Sequence, residues 1–163
     1  APNAQQTWWS RVSISYDGKW VAYVSNESGK NQVYIRPYPN INTGKWQISA
    51  EEAYSPIWSQ TRNELFYHTG KKFYKVKYDV LENENSSYFN LNEPELIFEH
   101  TIVSNHLTFP AWDYNQNNDQ FIVISAPESE LSDIYGNNVE RYNKSITLTV
   151  VENWFNELNS RIP

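Results

Sequence analysis

Ser15-Tyr16-Asp17-Gly18-Lys19-Trp20-Val21-Ala22-Tyr23-Val24 is the stretch that decides the fold. Asp-Gly between two apolar runs is a strong hairpin signal, because Gly accepts a positive φ and Asp hydrogen-bonds the local backbone. Val12-Ser13-Ile14 reads as the strand before the turn and Trp20 to Ser25 as the strand after it. A decayed copy, Ser59-Gln60-Thr61-Arg62-Asn63-Glu64-Leu65-Phe66-Tyr67, begins 44 residues later and follows Pro56-Ile57-Trp58. A third, Asn115-Gln116-Asn117-Asn118-Asp119-Gln120-Phe121-Ile122-Val123-Ile124, begins 56 residues after the second and follows Pro110-Ala111-Trp112. A period near ~40–50 residues with several strands per unit reads as β-propeller blades.

Working outward, Gln32 to Tyr38 alternates Val33 and Ile35 with Tyr34 and Arg36, as a half-buried strand does. Lys45 to Ser49 completes a first blade over 12–49. A second blade over 56–99 uses Ile57-Trp58, Glu64 to His68, Phe73 to Tyr78 and Glu95 to Glu99, with 79–92 expected as an acidic, Asn-rich loop. A third over 109–151 uses Phe109 to Trp112, Gln120 to Ala126 and Ser145 to Val151, with a long polar surface loop at 127–144. Residues 4–9 are expected as an extra N-terminal strand. In the tail 152–163, Trp154, Leu158 and Ile162 recur at the spacing of one helix face, so a short C-terminal helix is expected; the alternative is an irregular packed tail.

The expected fold is therefore all-β, a single partial β-propeller domain of about three four-stranded antiparallel blades. A propeller closes with roughly four to eight blades. Three alone leave two broad apolar faces and open strand edges, which are association sites. Either the chain is a piece of a longer propeller or two chains join. A head-to-tail homodimer would make a six-bladed ring, with residues 4–9 of one copy adding the strand missing from the other copy's third blade.

Composition narrows the partners. A net charge of −6 argues against nucleic acid, since phosphate binding needs clustered Lys and Arg. No apolar run approaches the ~18 residues of a membrane span, so no membrane insertion is expected. The chain has no Met and is expected to be a processed or excised product, with a periplasmic or secreted location favoured. The absence of Cys excludes disulfides and Cys-ligated zinc.

Ser15 to Tyr23 resembles the Ser-Pro-Asp-Gly repeat of TolB-type, WD-repeat-like β-propellers, with Tyr16 where Pro is usual. Val24 to Gly29 and Gln32 to Pro39 are similar to the continuation of that repeat, in particular in the C-terminal propellers of bacterial receptor-like kinases and regulators. Gly44 to Ser49, Pro56 to Ser59, Glu64 to Tyr67 and Asn153 to Leu158 fit the same pattern, over about 7–126 and 145–163. The resemblance implies a propeller serving as a scaffold for protein or ligand contacts, with no shared catalytic motif.

Candidate chemistry is sparse. Asp17 reads as a turn former. His68, His100 and His106 are the only histidines, and the spacing of the last two has no recurrent ligand pattern. No Gly-x-Ser-x-Gly elbow or Gly-rich phosphate loop is present. Glu51, Glu52 and Glu99 read as charged loop tips before they read as a carboxylate pair for sugar chemistry. Trp8, Trp9, Trp58 and Trp112 read as packing residues, with Trp58 and Trp112 at matching repeat positions. No cofactor, metal or catalytic residue is expected.

Propeller topology places the loops entering each innermost strand, 50–56 and 100–108 with the lead-in at Trp9-Ser10-Arg11, around one channel mouth. Binding residues sit on loops held by a rigid scaffold. The expected binding set is Arg11, Glu51, Glu52, Tyr54, His100 and His106. The expected function is a non-enzymatic scaffold for protein contacts, to a protein partner or to itself. The alternative is a small-ligand or carbohydrate-binding propeller with hydrolase or lyase activity at the mouth.

Overall fold

The computed structural model describes residues 12–83, 86–102, 111–125 and 147–152. Among them the structure is all-β, with no helix and three antiparallel sheets. The first sheet runs in the order β1 (Ser13–Ile14), β2 (Trp20–Ser25), β3 (Gln32–Pro37), β4 (Trp46–Gln47). The second is built on β5 (Tyr54–Trp58), β6 (Glu64–Thr69) and β7 (Lys72–Asn83), with β8 (Ser86–Leu91) and β9 (Glu95–Glu99) both paired to β7. The third is β10 (Trp112–Asn115), β11 (Gln120–Ser125), β12 (Thr147–Val151).

The three opening hairpins share one register. Ile14 pairs with Val21, Trp58 with Leu65, and Tyr114 with Phe121, seven residues on in each case. Asp17-Gly18 survives only in the first, yet the lead position keeps a side-chain acceptor throughout. Ser15 Oγ accepts from Trp20 N at 3.0 Å, Ser59 Oγ from Arg62 N at 3.1 Å, and Asn115 Oδ1 from Asn117 N at 3.1 Å. These local bonds give the turn backbone the partners that the Asp-Gly dipeptide would otherwise help provide. The register also corrects one expectation. Tyr114, not Trp112, occupies the place of Trp58, because Trp112 lies opposite Val123, two residues earlier on its strand.

A second correction concerns 79–92. This stretch is not a loop: β7 continues to Asn83 and turns back as β8, with Tyr78 paired to Leu91 and Val80 to Phe89. The second unit therefore holds five strands. The inner face of this arm carries Phe89 into the first core, edge-on to Trp20 at 4.4 Å and 5.3 Å from Trp46. The expected strand 4–9, the expected helix over 152–163 and the loop 127–144 lie outside the described residues.

The sheets pack face to face through two cores. The first core joins Trp20, Ala22, Val24, Val33 and Ile35 of the first sheet to Trp58, Leu65, Tyr67 and Val76 of the second. The second joins Ile57, Phe66, Phe73 and Phe98 of the second sheet to Trp112, Tyr114, Phe121 and Val123 of the third. Strand alternation explains how β6 serves both: Leu65 and Tyr67 face one way, Phe66 and His68 the other. The middle sheet is thus covered on both faces, and the outer two present one face each away from the stack.

Candidate functional site

Of the expected binding residues, Glu51, Glu52, Tyr54 and His100 fall at one end of the second sheet. Glu51 and Glu52 are exposed in the turn that enters β5, and Tyr54 opens that strand. Ser55 has φ of 51°, in the left-handed region, and a register shift lies between Tyr54 and Ile57. This bulge re-aims Tyr54 toward the turn after β2. Asn31 Nδ2 donates to the Tyr54 hydroxyl at 3.2 Å, and Ala53 N donates to Asn31 O at 2.9 Å. Lys30 and Glu51 approach to 3.7 Å with both side chains largely exposed, a contact worth little. Burial pushes the Tyr54 phenol up; the Asn31 bond opposes this, and a bond and charge from Glu52 add to it. Tyr54 is thus a neutral hydrogen-bonding group at ordinary pH.

His100 sits at the same end of the sheet but across it, its backbone N bound to Lys71 O at 2.8 Å. The order β5, β6, β7, β9 puts three strand spacings, roughly 14 Å, between it and Tyr54. The fold therefore gathers Glu51, Glu52 and Tyr54 but does not join His100 to them. Arg11 and His106 lie outside the described residues. No group of three metal-ligating side chains occurs among the described residues.

At the opposite end, a charged cluster ties the turn after β5 to the turn after β10. Arg62 Nη2 meets Asp119 Oδ1 at 2.5 Å and Arg62 Nε meets Glu64 Oε2 at 3.0 Å. The Tyr114 hydroxyl donates to Asp119 and accepts from Arg62. The buried Lys75 ammonium extends the chain of charges, 4.0 Å from Glu64 and 3.2 Å from Glu95. Burial alone would raise the Asp119 carboxyl, but the bonds from Arg62 and Tyr114, with the charges of Arg62 and Lys75, hold it below the usual carboxylate range. The bond to Asp119 raises Arg62, and burial raises the Tyr114 phenol. Every charge here has a partner of opposite sign, which is the pattern of a clamp between sheets.

The third feature is a face. The shared register makes Ile122, Ile124, Leu148 and Val150 equivalent to Phe66, His68, Phe73 and Lys75, and to Ala22, Val24, Val33 and Ile35. All eight counterparts are buried, each beneath the next sheet in the stack. On the third sheet Leu148 is 66% exposed, Val150 48% and Ile124 37%, with Ile122 half-buried. The opposite end of the stack shows the complementary case. Trp58 and Tyr114 are buried, whereas their counterpart Ile14 is 46% exposed, and Val21 and Tyr23 beside it are half-buried.

The blade count gives an expectation of apolar end faces, but no residue of this face or of the clamp is in the expected binding set. The signal that finds the face is the alignment of the three hairpins by register, which shows that Ile122 and Ile124 repeat positions occupied by core residues. No family model matches the chain, and no curated protein matches it.

Proposed function

We propose that the chain is a non-catalytic partial β-propeller whose end faces mediate protein contacts. In this reading the three sheets are consecutive blades, and the ring is completed by another protein surface of the same kind. The observation that carries it is the exposure of Ile124, Leu148 and Val150, with Ile122 half-buried, at positions buried in the two preceding sheets. Four aliphatic side chains adjacent on two paired strands form a contiguous apolar patch, and such patches mark sites of protein contact. The resemblance of Ser15 to Tyr23 to TolB-type repeats supports the same reading.

The paired replacement Ile124→Lys with Leu148→Lys tests it in dilute solution. Both side chains stand on the open face, so the expected loss of stability is within about 0.5 kcal/mol, as for an exposed site. A loss of several kcal/mol would mean that the chain itself covers this face, and the reading would fall.

A further inference from the structure

We propose that the occupant of the β10–β12 face is the β1–β2 hairpin of the first sheet in a second copy of this chain, where Ile14 is exposed and Val21 and Tyr23 are half-buried. Tyr34 on the same face of β3 is already buried, with the Lys45 ammonium over its ring. The inference rests on the scaffold reading and adds the partner and its register. The seam between the second and third sheets supplies the template. There Phe66 packs on Tyr114 at 4.6 Å and on Phe121 at 5.1 Å. Ile122 is the counterpart of Phe66, Ile14 of Tyr114, and Val21 of Phe121. The same seam formed between copies therefore sets Ile122 of one against Ile14 and Val21 of the other.

The two faces differ in polarity at their margins. Beside Ile122 on the third sheet stands Asp113, and Glu152 is held by Gln120 Nε2 at 2.6 Å at the same edge. Beside Val21 on the first sheet stands Arg36, whose Nε donates to the Tyr23 hydroxyl at 2.7 Å. An apolar strip with an acidic margin thus faces an apolar strip with a basic one, which favours head-to-tail over like-to-like docking. Two copies joined in this way use both seams and close as a two-fold ring of six sheets, leaving no apolar end face. Pairing two β10–β12 faces would instead bring two acidic margins into one interface.

The absence of native Cys makes the register directly measurable. Ile122→Cys and Ile14→Cys chains are prepared separately, mixed, and treated with a short bis-maleimide. The expected product is a cross-linked pair of about 38 kDa, twice the 19.2 kDa chain, formed in the mixture and not by either variant alone. Ile124→Cys with Tyr23→Cys reads the same seam if Ile14→Cys disturbs folding. Cross-linking of Ile122→Cys with itself, or none in either mixture, overturns the proposal. If the Lys pair of the preceding test is tolerated while no cross-link forms, the scaffold reading stands and the second copy is excluded.

Discussion

The two seams of this molecule are built from the same repeat but closed by different means. The first is sealed by an aromatic cluster. Trp20, Trp46, Trp58 and Tyr78 converge on Phe89, which the β7–β8 arm carries in. Its direct polar ties between sheets include Trp58 Nε1 to Ser13 O at 2.9 Å. The second seam has its own aromatic core but adds the Arg62–Asp119–Tyr114 clamp at the turns. Burial of large rings contributes stability that does not depend on pH. A half-exposed ion pair contributes little stability but fixes how two turns meet. The first seam is thus held by bulk and the second is also held in register by charge.

Removing the bulk of the first seam is expected to have the largest effect. Phe89→Ala leaves a cavity among four aromatic side chains and should cost about 3–5 kcal/mol. In a chain of this size that lowers Tm by roughly 6–20 °C in a calorimetric scan. A loss below about 1 kcal/mol would show that the arm does not seal the seam.

The clamp of the second seam is expected to matter less, and in a pH-dependent way. Asp119 is held below its ordinary value of 3.8, so its contribution is present above that pH and lost as pH falls through the folded value. Asp119→Asn should cost about 1 kcal/mol or less at neutral pH, because both partners are more than one-third exposed. The difference between the variant and the parent should therefore shrink progressively as pH falls below the ordinary carboxylate value of 3.8. Denaturant titrations at pH 3 and pH 7 check this; an unchanged difference between the two would show that the Asp119 charge does not tie the turns together.

The hairpins were the legible part of the fold. Asp17-Gly18 marks the first, and the apolar pairs Leu65-Phe66 and Phe121-Ile122 mark its relatives. The arm was hidden because Glu82-Asn83-Glu84-Asn85 has the composition of a loop. The alternation of Tyr78 with Val80 and of Phe89 with Leu91 was its true signal, since strand pairing tolerates a polar tip. Trp58 and Trp112 share a residue type, but register depends on distance from the turn, which puts Tyr114 in the place of Trp58. Of the expected binding residues, Glu51, Glu52 and Tyr54 adjoin in sequence and so remain together in space. The clamp joins residues 57 apart through the stacking of sheets, which no local pattern encodes. The open face needed both register and burial to be seen, because Ile122 and Ile124 look like ordinary core residues in an apolar strand.

The proposed assembly turns on the exposed face of the third sheet. Light scattering on the intact chain over a range of concentrations tests it most directly. The expected mass rises to about 38 kDa, twice that of one 19.2 kDa chain, and returns to a single chain in the Ile124→Lys, Leu148→Lys form. A single-chain mass at every concentration would contradict it.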